Sequence, residues 1–334
     1  MPELIILAIM FSSLSLYAVL GGADFGAGIW EFTTVLQADK RERKLIHDAI
    51  GPVWEANHVW LIFVLIIMFS AFPLAFAAVS RALWLPLLFA LLGIVCRGAG
   101  YIFRAYAIGA VSLQNFWGAV FALASTATPF FMGASIGAIS CGTLAIDSEG
   151  RFSGNHLQDW LTPLSLFAGI MAVGMCAYLA SVYLTHEASK TKGADLLRTW
   201  RGRATSTGIW IGILAWIGLV MCALEAPDLW NGLIARGWPL IAVSVTTGIG
   251  SLWALVRNRF QFANLMAASS VASVVVGWGL GQYPILVPPA ITIESSKAPP
   301  VVLWAMVICI LSGSLFLFPA LFWLFRLFKG ETAK

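Results

Sequence analysis

The sequence predicts an all-α integral membrane protein of about nine transmembrane helices, forming a single polytopic domain over residues 1–334. Hydrophobic residues make up 60% of the chain and charged residues only 11%, whereas a soluble globular domain carries about 25% charged residues. Apolar runs of about 20 residues, the length needed to cross a bilayer, recur along the chain. Too few polar side chains remain to cover a water-exposed surface, so lipid must surround most of the molecule.

Nine apolar runs define the predicted spans, and together they fit two four-helix bundles plus one extra helix. The least distinct boundary separates the second run from the third, where Phe72-Pro73 and Arg81 are the only interruptions. The runs lie at roughly 4–30, 51–73, 82–104, 116–140, 161–185, 206–225, 239–256, 261–283 and 300–325.

The longer connections between these spans are too short to form a soluble domain. They lie near residues 31–50 and 186–205 on the inside and near 141–160 and 284–299 on the outside. The last connection is rich in proline, which lacks the backbone N–H that a helix needs. We expect an ordered, extended turn there.

The basic residues orient the predicted spans, because cytoplasmic segments carry an excess of Lys and Arg. With the N-terminus outside, 15 of the 20 basic residues fall in inside segments. The exceptions are four outside residues and one intramembrane residue, namely Arg81, Arg151, Arg236, Lys297 and Arg97. Nine spans then place the C-terminus inside.

Three ionisable residues lie within the predicted spans of the first third of the chain, namely Asp24, Glu55 and Arg97. A charge inside the membrane is costly unless it is paired or hydrated. Asp24 and Arg97 each lie about 10 Å from the inner ends of their helices, at 1.5 Å per residue. Glu55 lies about one turn into the second span from the same side. We therefore expect two acids and a base at similar depth near the cytoplasmic face.

This cluster has two interpretations. It can be a buried ion pair that fastens three helices, or a polar inlet for protons from the cytoplasm. The inlet is favoured because two carboxylates and one guanidinium leave one acid free to titrate. Glu55 is the better titrating candidate, since Asn57 and His58 follow it and His58 shares its helix face. We predict a proton pathway through Glu55, Asp24 and His58, with Arg97 as the charge partner.

Other classes of site find little support. A net charge of +4 is too small to indicate nucleic-acid binding. The five cysteines form no C-x-x-C pair, so neither a metal site nor a disulfide framework is indicated. A membrane haem b needs two axial histidines that face each other, and only His58 of the four histidines lies clearly within a span. We expect this chain to bind no metal, to ligate no haem and to contribute no catalytic residue of its own.

Four segments resemble motifs of the subunit II family of cytochrome bd oxidases, in the family's order. Residues 51–61 (GPVWEANHVWL) resemble its second-helix signature, and residues 22–28 (GADFGAG) resemble its first-helix motif. Residues 281–293 (GQYPILVPPAITI) are similar to the motif between its last two helices, and residues 69–73 (FSAFP) also fit. The first two motifs are specific, and the others support them.

The resemblance implies a terminal oxidase of a prokaryotic respiratory chain, located in the cell membrane. Such an enzyme oxidises quinol and reduces dioxygen to water. In that family, haems b558, b595 and d and the quinol-oxidising loop belong to subunit I. Subunit II supports this haem-bearing partner and contributes to proton delivery. The resemblance leaves open whether small single-helix accessory subunits attach and whether a quinone or a lipid binds this chain.

Carried over by residue, Asp24 and Glu55 match the acids of the family's first and second helices. Glu55 stands where an aspartate is often found, so its carboxylate is one methylene further from the backbone. Arg97 falls where the family has an arginine in its third helix. His58 stands where glutamine is common, so its role rests on this sequence alone.

A secondary transporter with its site at Asp24, Glu55 and Arg97 is the alternative. Transporters favour interrupted helices and polar groups near the middle of the membrane in both halves of the chain. Here the acids lie in one half and towards one face, which favours the oxidase subunit.

Overall fold

The computed structural model describes residues 1–37, 40–50, 54–107, 109–191 and 193–330. Among these, the side chains of 33–37, 40, 50, 54–56, 318, 321, 322 and 324–330 lie outside the description. Eight helices in the described ranges are long and apolar enough to span a membrane. A ninth candidate is a bent helix pair, Asn57–Ala71 with Pro73–Ala82. The predicted all-α membrane fold is confirmed.

The N-terminal half is a series of helices with one π-helical turn inside the first span. A π turn adds a residue to the helical repeat and often marks a functional position. The elements are α1 (Pro2–Leu16), the π turn (Tyr17–Gly21), α2 (Gly22–Gln37), α3 (Lys40–Ile50), α4 (Trp54–Ala71), α5 (Pro73–Ala82), α6 (Trp84–Tyr106) and α7 (Val111–Cys141).

The C-terminal half adds five longer helices, two short ones, a second π turn and a small hairpin. The elements are α8 (Pro163–Lys190), α9 (Ala194–Glu225), α10 (Pro227–Gly232), the second π turn (Leu233–Gly237), α11 (Trp238–Val256), α12 (Phe260–Gln282), β1 (Ile285–Val287), β2 (Ile291–Thr292), α13 (Ile293–Ser296) and α14 (Pro300–Gly330). Strands β1 and β2 pair antiparallel. The proline-rich connection is therefore ordered and extended, as predicted, although it ends in the single helical turn α13.

Two predicted connections contain more helix than expected. In the inside segment 186–205, α8 continues to Lys190 and α9 begins at Ala194. Helix α3 occupies much of the segment 31–50. Hydropathy marks only the part of a helix that lies in lipid, so helical turns that extend into water escape it. The helix that contains the sixth span therefore begins well before the predicted residue 206.

The indistinct boundary between the second and third spans is a sharp bend. The chain bends by 117° between α4 and α5 at Phe72, where Pro73 begins α5 and cannot continue a helical hydrogen-bond ladder. Helix α5 is held against the connections at that end of the bundle. Arg81 donates to the carbonyl of Gly150 (3.2 Å), and the N–H of Ala75 donates to Ser296 (2.9 Å).

The spans pack in two groups. In the first, α2 and α6 both pack against α7, and α1 packs against α4. In the second, α8 packs against α9 and α12, and α11 contacts both of these. Helix α8 joins the groups through contacts with α7 and α2, α1 also contacts α12, and α14 lies beside α1 and α4. This packing matches two four-helix bundles plus one extra helix.

Candidate functional site

A buried ion pair joins α2 to α6. Arg97 Nη2 lies 2.6 Å from Asp24 Oδ1, and their side chains are only 1% and 2% exposed. Arg97 Nε also donates to Ser125 Oγ on α7 at 3.0 Å. The rings of Phe25 and Phe121 each lie 4.9 Å from the guanidinium carbon. The charge is thus compensated by one carboxylate, one hydroxyl and two aromatic faces.

Glycines on α2 allow the close approach that brings these groups together. A Cβ atom at Gly26 would overlap the carbonyl oxygen of Cys176 on α8. One at Gly28 would overlap Ser125 Oγ on α7. Helix α6 approaches α7 in the same way at Gly93. The small residues of the GADFGAG segment therefore position Asp24 within reach of Arg97, as close packing of membrane helices requires.

The first turns of α4 pack against the π turn and the start of α2. Asn57 Nδ2 donates to the carbonyl of Leu20 at 3.3 Å. The His58 ring lies 6.1 Å from the Tyr17 ring and 5.8 Å from the Phe25 ring, between centroids. Because Phe25 also contacts the Arg97 guanidinium, His58 belongs to the same buried cluster.

Three polar atoms of this cluster are buried without a hydrogen-bond partner in the described part of the chain. They are Asp24 Oδ2, His58 Nδ1 and Arg97 Nη1. A buried polar atom without a partner costs about 1–3 kcal/mol, so such atoms are usually satisfied by water or a ligand. Each of these three atoms therefore has the capacity for a further hydrogen bond.

Glu31 and Arg104 form a second ion pair on the same two helices. Seven residues separate Asp24 from Glu31, and seven separate Arg97 from Arg104, which is about two helical turns or 10 Å. Arg104 is more than an ordinary interfacial charge, because its guanidinium is bound to the Glu31 carboxylate, which is only 5% exposed. The equal spacing of the two acids and the two bases was the signal that could have revealed this pair.

A third ion pair fastens α3 to α9. Arg203 Nη1 lies 3.0 Å from Glu42 Oε2. Its guanidinium also faces the rings of Trp30 (5.2 Å) and Trp200 (4.7 Å). Leu45, on the apolar face of α3, is buried. This contact could not be predicted from the sequence, because its residues lie far apart in the chain and only three-dimensional packing joins them.

The structure thus brings together three of the four residues predicted for the site, namely Asp24, Arg97 and His58. The fourth, Glu55, has its backbone in the first turn of α4, three residues before His58. Its side chain lies outside the described residues, and its assignment stays a prediction.

The described histidines do not fit an axial haem pair. His47 on α3 stacks on Tyr101 of α6, His156 lies in the connection after α7, and His186 lies near the end of α8. His58 packs against two aromatic rings. Within the described ranges, no three His, Cys, Asp or Glu side chains are grouped so that they could hold a metal ion.

Comparison with known proteins decides the family. A model of the family described as cytochrome bd terminal oxidase subunit II matches residues 1–328. The chain belongs to this family. A bd oxidase subunit II is part of a quinol-oxidising oxidoreductase complex, and it is a multi-pass protein of the bacterial membrane. Family membership also implies a subunit I partner and haems within the complex, and it decides against the transporter.

Individual relatives of this bd oxidase subunit II are distant but cover most of its length. It is 24% identical over 313 residues to the cytochrome bd-I ubiquinol oxidase subunit 2 of Escherichia coli K12, covering 84% of this chain and 80% of that one. It is 22% identical over 337 residues to a putative cytochrome bd menaquinol oxidase subunit II of Bacillus subtilis 168, covering 98% and 96%.

The fold also matches a solved structure. A chain in the structure of bd oxidase from Geobacillus thermodenitrificans superposes with a TM-score of 0.77, over 98% of both chains at 22% identity. At this identity the likeness establishes the fold of bd oxidase subunit II. The two relatives are named for different quinols, ubiquinol and menaquinol.

Proposed function

We propose that this subunit supports the haem-bearing subunit I of its oxidase and supplies a cytoplasmic inlet for protons. Glu55, Asp24 and His58 would lie along the inlet, with Arg97 as the charge partner. The observation that carries the proposal is the pair of unpartnered buried atoms, Asp24 Oδ2 and His58 Nδ1, in one cluster.

The chemistry of the complex creates the need for such an inlet. Reduction of dioxygen to water consumes protons inside the membrane, and hydrocarbon conducts none. A chain of titratable groups and water must therefore lead inward from one face. Intramembrane acids and histidines are the usual components of such relays.

The position of the cluster fits an entry point. Glu55 is in the first turn of α4, and His58 at i+3 lies on the same helix face. His58 and Arg97 both contact Phe25, so His58 lies one side chain away from the ion pair of Arg97 and Asp24, which supports the proposal. The excess of basic residues on this side of the predicted topology supports a cytoplasmic location.

Substitution of Glu55 tests the proposal. Glu55→Gln keeps nearly the same volume and hydrogen-bonding capacity but removes the titratable carboxylate. We expect quinol-driven oxygen consumption by the purified complex to fall about tenfold or more, with normal assembly and haem spectra. Glu55→Asp keeps the carboxylate and should recover much of the turnover.

Glu225 offers a matched control at the opposite end of the spans. Its carboxylate accepts from the backbone N–H of Leu164 at 2.9 Å, a bond that an amide oxygen can also accept. Glu225→Gln should leave turnover unchanged. Normal turnover and a normal membrane potential in an assembled Glu55→Gln complex would contradict the inlet and leave the cluster as an ion pair that fastens the helices.

A further inference from the structure

A basic turn joins α11 to α12 at the membrane face where α8 ends and α9 begins. The turn consists of Arg257, Asn258 and Arg259, and Asn258 has a left-handed backbone with φ of 56°. Asparagine tolerates this conformation better than most residues. Its Oδ1 accepts from Arg201 Nη1 at 2.7 Å, which ties the turn to α9.

The turn holds two guanidinium groups at one aromatic ring. The guanidinium carbons of Arg257 and Arg259 lie 5.9 and 5.6 Å from the centroid of the Trp253 ring. Cation–π contacts of this kind restrict an arginine without neutralising it. Both arginines are exposed, so their charges face outward from the end of the span.

Neither arginine has a carboxylate within ion-pair distance in the described part of the chain, in contrast to Arg97, Arg104 and Arg203. Glu187, an acid near the end of α8, is already paired with Lys190 at 2.7 Å. The turn therefore presents uncompensated positive charge at the edge of the membrane, and an anion is its natural complement.

A groove of about 590 Å³ lies beside this turn, between the end of α8 and the start of α12. Polar side chains line it near the turn, and apolar side chains line it further along α12. Phe262 and Leu265, three residues apart on α12, are 43% and 60% exposed. The lining includes His186, Ser189, Arg259, Gln261, Phe262 and Leu265.

We propose that this groove binds an anionic phospholipid, with the phosphate at Arg259, which lines the groove, and an acyl chain along Phe262 and Leu265. Arg257 lies outside the lining but adds its exposed positive charge on the same three-residue turn. The arrangement of side chains along the groove matches such a lipid. Cationic side chains lie at the end of the span, and exposed apolar side chains lie further into the membrane. A free phosphate would not use the apolar part, and a neutral quinone head group would not require two cations.

The test uses the assembled complex in detergent, equilibrated with equal amounts of phosphatidylglycerol and phosphatidylcholine of the same acyl length. Native mass spectrometry counts the lipids that remain bound. We expect preferential retention of phosphatidylglycerol. The retention should weaken about fivefold in Arg257→Gln or Arg259→Gln, and about thirtyfold in the double variant. Haem spectra verify assembly.

Arg198→Gln is the matched control, since Arg198 is an exposed arginine on α9 at the same membrane face and belongs neither to the turn nor to the groove lining. It should leave retention unchanged. An equal loss in this control would show diffuse surface attraction and overturn the site. Equal retention of the two lipids, or displacement of phosphatidylglycerol by millimolar inorganic phosphate, would likewise contradict a lipid groove.

Discussion

The neighbours of Arg97 inside the membrane replace the water that its guanidinium lacks there. Asp24 supplies the opposite charge, Ser125 accepts a hydrogen bond, and Phe25 and Phe121 each contact the guanidinium. Removing one partner leaves the other as an unpaired buried charge, which destabilises a protein by about 3–5 kcal/mol.

We therefore predict that Asp24→Asn and Arg97→Ala each lower the amount of haem-containing complex that assembles in membranes. The double variant Asp24→Asn/Arg97→Gln, which removes both charges, should assemble better than Arg97→Ala. The exposed pair of Arg151 and Asp147 offers a control, because exposed ion pairs contribute about 0–1 kcal/mol. Assembly of Arg97→Ala at the level of Arg151→Ala would contradict a stabilising role.

Asp24 and Arg97 could be predicted as site residues from the sequence, because charged residues are rare in apolar runs. It did not identify Ser125, since a serine in a membrane helix commonly bonds its own backbone, as Ser125 also does to Phe121. Glu31 was missed because it lies at the predicted end of the first span, where a charge needs no explanation.

Helix α2 is the element on which the site depends, since it contacts both α7 and α8. Its glycines allow the helix backbones to approach closely, above all where Gly26 faces the carbonyl of Cys176. No side chain can be inserted there unless the helices separate.

We predict that Gly26→Ala lowers the thermal stability of the complex, because overpacking of this kind costs about 1–3 kcal/mol. Gly212 on α9 is the matched control, since a Cβ atom there would meet nothing within 4 Å. Gly212→Ala should leave the melting temperature nearly unchanged. A melting curve for Gly26→Ala that coincides with that of Gly212→Ala would disprove the close approach.

The existence of the helices was predictable, whereas several of their ends were not. Lipid selects apolar runs, so each span left a clear signal in the sequence. The turns of α8 and α9 that extend beyond the apolar runs are stabilised by helix propensity and by packing. Hydropathy does not detect these turns, because their residues are polar. Helix α3 is a further case, because burial of Leu45 and the ion pair at Glu42 hold it in place.

Over the whole molecule, the distribution of basic residues predicts an external N-terminus and an internal C-terminus. The count of nine depends on the bent pair of α4 and α5, because the described residues contain eight other candidate spans and this pair makes the ninth only if it crosses the membrane. The orientation itself stays a prediction.

Reporter fusions test the predicted orientation of the chain in the membrane. Alkaline phosphatase, which is active only outside the cytoplasm, should be active when fused in the segment 141–160 and inactive in the segment 186–205. A fluorescent protein that matures only in the cytoplasm should be bright at the C-terminus. Both termini on the same side would mean that one of the nine predicted spans does not cross the membrane.

The two ion pairs between α2 and α6 limit how these helices can move. A slide of one helix along the other by a single turn, about 5.4 Å, would separate Asp24 from Arg97 and Glu31 from Arg104 at the same moment. A rotation of either helix about its own axis would separate both acids from both bases together. The two helices are therefore locked in register, and we expect α2 and α6 to move during turnover only as one rigid body.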